Sequence, residues 1–147
     1  MSSASPAVAA APALAERVAI NRLWIAALVA AVVAAVANVV IRAIAVGPLD
    51  VSSDFQPLEA VGGTIIASVV GAVGGAVVLA LLARFVRRPI RTFWIVAAVF
   101  TLLSLGGALG QASEPGGDAT SVGTLIVMHV VTAAIVVGVL TAMGRER

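Results

Sequence analysis

The chain has 147 residues, of which 61% are hydrophobic and 11% charged, and its mean hydropathy is +1.15. Soluble domains carry roughly 45–50% apolar and about 25% charged residues, so a water-soluble fold is excluded and lipid is the expected solvent for most of the chain. All 9 basic residues are arginine, against 7 acidic residues and 1 histidine. The pI of 11.1 therefore reflects how little titrates between neutral pH and arginine. It does not mark a nucleic-acid face, because the largest basic cluster, Arg84, Arg87, Arg88 and Arg91, sits between two apolar runs. Cysteine is absent, which removes disulfides, zinc–thiolate sites, thiol nucleophiles and cysteine lipidation.

Residues 1–21 are small, Ala-rich and interrupted by Pro6 and Pro12. They are expected to form a disordered cytoplasmic tail, having too little bulky apolar surface to offset the entropy of ordering. Four apolar runs follow, with helices expected at about 23–46, 62–84, 92–110 and 123–143. Each approximates the roughly 17–25 residues that cross about 30 Å of hydrocarbon. In lipid the backbone must satisfy its own hydrogen bonds, which makes runs of this length helices. The first run also has signal-peptide features, with Arg17 and Arg22 before it and Ala35-Val36-Ala37 as a cleavage-like site. Its apolar character continues through Ile41 and Ile44, which favours a retained helix.

The connection 47–61 contains Pro48 and Pro57 around DVSSDFQ. Leu49, Val51, Phe55 and Leu58 offer a surface that can lie on the interface, but no amphipathic period organises them and the segment reads as a linker. The third run ends in Gly106, Gly107 and Gly110, and Pro115-Gly116-Gly117 follows. The connection 111–123 is therefore expected to be mobile.

Charge sets the expected orientation. Arg17, Arg22, the four arginines of 84–91, Arg145 and Arg147 share one side, while Asp50, Asp54, Glu59, Glu114 and Asp118 share the other, where Arg42 is the one arginine. The positive-inside rule places both termini and the 84–91 connection in the cytoplasm. Trp24 and Trp94 fall near the same boundary, where indole rings favour the interface. The expectation is an all-α, four-transmembrane-helix up-down-up-down bundle, a single domain over 22–147 in the cell membrane.

Helices in lipid associate through close packing and polar contacts. Gly63, Ala67, Gly71 and Gly75 recur every fourth residue, as do Ala30, Ala34, Asn38 and Arg42, and also Ala134, Gly138 and Ala142. These strips are expected to seal the helices within one chain, or to join two copies.

Polar groups inside a span are costly and mark candidate sites. Asn38 and Arg42 share a face of the first helix, His129 lies in the fourth, and Glu59 stands just before the second. One reading is an outward-facing polar crevice in which Arg42 holds an anion and His129 exchanges a proton. The other has Arg42 snorkelling or pairing with Asp50, Asp54 or Glu59, while Asn38 and His129 make interhelical hydrogen bonds. The second asks less of the chain, since Arg42 is about one turn from its helix end.

Catalytic, cofactor and metal sites are not expected. A single histidine without cysteine is a poor metal set, a phosphate loop would need a lysine, and Ser104 with His129 and a loop acid makes a weak triad. Small four-helix drug exporters are disfavoured by the biased charge and by the lack of an acid within the first helix.

Three segments, RLWIAALVAAVVAAVANVVIRAIA, FQPLEAVGGTIIASVVGAVGGAVVLALLARFVRRPIRTFWIVAAVFTLLSL and LIVMHVVTAAIVVGVL, resemble a family of uncharacterised four-helix membrane proteins found mainly in actinobacteria. The most specific portions are the Ala83–Phe93 junction and the Met128-His129 pair. Gly106-Gly107 departs from the pattern, where prolines would be expected. The resemblance implies the four-pass topology and no activity. The function expected is a non-enzymatic interaction or accessory subunit, with a small transporter or proton-linked permeation unit as the alternative. The expected partners are the lipid bilayer and a second copy or another membrane protein, without nucleic acid.

Overall fold

A computed structural model describes residues 17–52 and 54–146. The expected tail lies outside the described residues as far as position 16. From Arg17 the chain is ordered against its own far end. Val18 forms an antiparallel bridge with Arg145, Ala19 N–H donates to the Gly144 carbonyl at 2.9 Å, and Glu146 N–H donates to the Arg17 carbonyl at 3.1 Å. The helix–terminal carbonyl of Gly144, which has no partner further along its own helix, is thereby satisfied.

Four helices are long and apolar enough to cross a membrane: α1 (Ile20–Val46), α3 (Val61–Phe85), α4 (Pro89–Gly110) and α5 (Ala119–Gly144), with a one-turn helix, α2 (Gln56–Glu59), between the first two. All exceed the hydropathy-based spans by one or more residues at their N-terminal ends. Hydropathy marks where lipid contact ends, whereas the helix continues until a cap or a proline intervenes. Thus α4 starts at Pro89, whose fixed φ suits the first helical position. Asp118 caps α5 by accepting from Ser121 N–H at 2.7 Å, so the helix begins at Ala119, four residues before the expected start.

The helices run alternately up and down. α1 packs along α3 and α5, α4 leans on α5 and α3, and α3 also meets α5 across the bundle. The topology gathers Arg17, Arg22, Arg84, Arg87, Arg88, Arg91 and Arg145 at one end, hereafter the arginine end. Asp50, Asp54, Glu59, Glu114 and Asp118 lie at the other, the acidic end.

Residue size is sorted inside out. On α1, Ala26, Ala30 and Ala34 are fully buried, while Leu28, Val32 and Val36 point outward. On α3 the inner line is Thr64, Ser68, Ala72, Ala76 and Leu79, with Ile66, Val70 and Val77 outside. Large apolar side chains gain little by leaving lipid, whereas small ones let backbones approach.

Two connections differ from the sequence expectation. The 47–60 segment is neither a loose linker nor an interfacial strip. Val51, Phe55 and Leu58 turn inward and pack with Ala45, Ala108, Leu125 and Met128, plugging the acidic end, while Leu49 stays exposed. The reason is geometric. The segment is long enough to turn back, and its three large side chains fill the space between the ends of α1, α4 and α5, an arrangement that leaves no helical period in the sequence. The 111–123 connection, expected to be mobile, is a 3-10 turn at Gln111–Ser113 followed by the cap of α5. Gly116, with φ of +73°, makes the chain crossing there, and a Cβ on it would lie 3.1 Å from Phe55 N and from Ser52 Cβ.

Candidate functional site

The proposed packing strip divides by position. A Cβ at Gly75 would come within 2.7 Å of Val136 Cγ1, and one at Gly71 within 3.5 Å of Thr132 Cγ2. Gly75 is thus the tight passage between α3 and α5. Gly63 has nothing within 4 Å and Ala67 is exposed, so these two lie outside the seam, which is one residue out of register with their strip. On α5, Ala134 and Ala142 are exposed and Gly138 faces open space.

Asn38 is 4% exposed and is the tie between three helices. Its Nδ2 donates to Ser68 Oγ on α3 at 2.9 Å and to Thr132 Oγ1 on α5 at 2.7 Å. Ser68 in turn donates to the Thr64 carbonyl at 2.9 Å. Asn38 Oδ1 and Thr64 Oγ1 are buried without a partner. Reversing the Asn38 amide would not remedy this, because the Ser68 hydroxyl hydrogen is already committed and Nδ2 would become the orphan.

Arg42, one turn closer to the acidic end, is half-buried. Its Nε donates to the Leu58 carbonyl at 2.8 Å and an Nη to the Glu59 carbonyl at 2.9 Å. These carbonyls end the short α2, where the backbone has no helical partner of its own and attracts a cation. Arg42 therefore fastens the plug through backbone carbonyls, in place of the expected carboxylate pairing. The Glu59 residue is exposed and takes part through its main chain.

His129 hydrogen-bonds within α5, Nδ1 to the Leu125 carbonyl at 2.7 Å. A carbonyl only accepts, so Nδ1 carries a hydrogen and donates it in this contact. The Asn38–Thr132 bond sets the register between α1 and α5. Counting outward from it at 1.5 Å per residue, Arg42 lies about 6 Å and His129 about 4.5 Å nearer the acidic end. The expected common depth follows, but the two side chains spend their hydrogen bonds in different places.

Ser68, Thr132 and Thr64 were not among the sequence candidates. The available signal was the four-residue spacing of Thr64 and Ser68 in an apolar span, level with Asn38. Two grooves open along the α1–α5 seam. One, at the acidic end, is lined by apolar side chains including Ile41, Ile44 and Val127. The other, at the arginine end, includes Arg22 and Arg145. Asn38, Arg42, Glu59 and His129 line neither. Among the described residues, no group of three or more His, Asp or Glu side chains converges as a metal site would require.

Outside the spans, Asp118 holds its proton less readily than an ordinary carboxylate. The main cause is the Ser121 backbone N–H donated to it, with the Ser121 side chain adding to the effect.

No curated protein and no solved structure matches the chain. A family model described as a family of unknown function (DUF6069) matches residues 18–146, which takes in all four long helices, the plug and the terminal bridge. The chain belongs to that family of unknown function, DUF6069.

Proposed function

We propose that the protein is a multi-pass component of a bacterial cell membrane, with both termini and the 84–91 connection in the cytoplasm, acting as a non-enzymatic interaction or accessory subunit. Its lysine-free, Ala-, Val- and Arg-rich composition fits an actinobacterial host. One observation carries the functional reading: Asn38, Arg42 and His129 all direct hydrogen bonds into this chain's own elements. Groups that act on a substrate or ion are expected to face a water-filled cavity, and here they stitch and fasten the bundle. The surface left for a partner is largely α4, whose Trp94, Phe100, Leu102 and Leu103 project outward.

The absence of cysteine makes the test direct. Single-cysteine variants R87C and D54C, labelled in intact cells with an impermeant maleimide, should react at Asp54's position and stay protected at Arg87's. The reverse pattern overturns the orientation. F100C and L102C, crosslinked in native membranes, should yield a discrete adduct with one partner species. Monomer alone at both positions refutes the subunit reading.

The unpartnered Asn38 Oδ1 and Thr64 Oγ1 favour a second reading, a small permeation unit entered from the acidic end. It requires flux of protons or small ions in reconstituted vesicles, reduced by N38A. Vesicles no leakier than protein-free controls across pH 5 to 8 dismiss it.

A further inference from the structure

The groove at the arginine end has a construction that the accessory-subunit reading does not use. Its walls are the first turns of α1 and the last turn of α5 with the residues beyond it. Asn21, Arg22 and Ile25 stand on one side, and Met143, Arg145 and Glu146 on the other. The two walls are not independent. Backbone hydrogen bonds from Ala19 to Gly144 and from Glu146 to Arg17 clamp the start of α1 to the end of α5, so the backbones that carry Arg22 and Arg145 face one opening. The groove is shallow and open, with a volume of about 820 Å3, a shape suited to a headgroup and chain lying along the surface rather than to an enclosed ligand.

The chemistry of the walls changes with depth. Arginines and Asn21 line the rim, and Ile25, Ala142 and Met143 continue toward the apolar span. Arg17, joined to Glu146 through the backbone, adds a third positive charge. Among the described residues there, three arginines against one glutamate give a local charge of +2. Arg22 and Arg145 are exposed, and among the described residues no side-chain hydrogen bond or ion pair engages either guanidinium. Arg42 is the contrast, with its guanidinium bound to carbonyls. An exposed guanidinium pair above an apolar wall, at the end of a span, complements a phosphodiester followed by an acyl chain.

We propose that this groove is a binding site for an anionic phospholipid, whose phosphodiester lies between Arg22 and Arg145 and whose acyl chain follows Ile25 and Met143. The site differs from the 84–91 connection, whose Arg87 and Arg88 are exposed on a turn and attract anionic lipid only diffusely.

The test uses the full chain in nanodiscs, with phosphatidylglycerol titrated into phosphatidylcholine at physiological salt and lipid retention read by native mass spectrometry. An arginine beside an anionic headgroup contributes roughly a five-fold preference, and lipid retained through desolvation reports the pair that holds one headgroup rather than the diffuse attraction at the 84–91 turn. The wild type should therefore favour phosphatidylglycerol, and R22Q/R145Q should lose roughly twenty- to thirty-fold of that preference. R22K/R145K should keep most of it, and R87Q/R88Q should lose less than about three-fold. Melting in pure phosphatidylcholine controls for folding, and if the double variant does not fold, R145Q alone should show roughly a five-fold loss. No preference in the wild type, an unchanged R22Q/R145Q, or an equal loss in R87Q/R88Q each overturns the proposal.

Discussion

Replacing Asn38 by alanine tests what holds α1, α3 and α5 in register. The change removes two interhelical hydrogen bonds, at 2.9 Å to Ser68 and 2.7 Å to Thr132. Such bonds contribute about 0.6 kcal/mol on average and about 1.7 at most in membrane proteins, because the separated helices also find partners. Two of them bracket a loss between about 1.2 and 3.4 kcal/mol. The substitution also deletes the orphaned Oδ1, a gain that pulls the net toward the lower end. N38A should therefore destabilise by about 1–2 kcal/mol, read by reversible unfolding of purified protein in mixed micelles or bicelles. Pairing it with S68A in a double-mutant cycle isolates one bond, with an expected coupling of about 0.6 kcal/mol. The Ser68 hydroxyl also donates to the Thr64 carbonyl, a contact that S68A removes in both backgrounds and that cancels in the cycle. An N38A protein as stable as the wild type, or a coupling indistinguishable from zero, would refute the view that this amide ties the bundle.

Three further expectations probe other parts of the molecule. G75A should destabilise by about 1–3 kcal/mol, since its Cβ would fall 2.7 Å from Val136 Cγ1, whereas G74A, with nothing within 4 Å, should be neutral or slightly stabilising in the same unfolding assay. G116A places alanine at φ of +73° against Phe55; a left-handed conformation costs roughly 1–2 kcal/mol, and amide exchange across 51–60 should accelerate while that of α1 does not. Asp118, whose pKa is lowered, contributes cap stability that is fully present above its unfolded value and is lost as pH falls through the lower folded value. Exchange protection at Ser121 should therefore weaken below the ordinary carboxylate range, D118A should lack that protection at every pH, and D118N should keep a cap without the pH dependence.

The existence and order of the four long helices were legible because a span in lipid needs both length and apolarity, and few other folds impose both. Their N-terminal limits were not, since Asn21, Arg22 and Arg91 are polar yet lie in helix beyond the apolar stretch. Asn38 was legible as a costly mid-span amide, but its partners were not. Serine and threonine in helices ordinarily bond their own i−4 carbonyl, as Thr141 does with Val137, so sequence does not tell which hydroxyls cross to a neighbour. The strip through Gly63, Ala67, Gly71 and Gly75 shows a related ambiguity. In a helix where residues 63 to 76 are almost all small or β-branched, the four-residue period fits several faces equally. The choice is made by what α1 and α5 present, namely Asn38 opposite Ser68 and Val136 opposite Gly75. The plug at 47–60 was hidden for a different reason. Its anchor is Arg42 bonding main-chain carbonyls of Leu58 and Glu59, and a carbonyl leaves no mark in side-chain sequence.

The placement of polar groups along the bundle separates the two functional readings. From Asn38 toward the acidic end the interior holds Ser68, Thr132, Thr64 and Arg42, and beyond them the Val51, Phe55 and Leu58 plug. Toward the arginine end it is closed by Leu79, Phe93, Val137 and Leu140. A permeation path therefore has to pass the plug and part both the polar and the apolar layer, and these two layers resist for different reasons. Separating the polar layer forfeits about 1–2 kcal/mol of hydrogen bonding by the estimate above, a barrier that thermal motion crosses readily. The apolar layer opposes a hydrated ion through the cost of stripping its water, far larger than any packing term. Enlarging that layer with L140A discriminates between the readings. In a static bundle the variant loses stability by about 2–5 kcal/mol and vesicles stay tight. In a permeation unit the same change lowers the rate-limiting barrier and raises flux, an increase that N38A should then abolish.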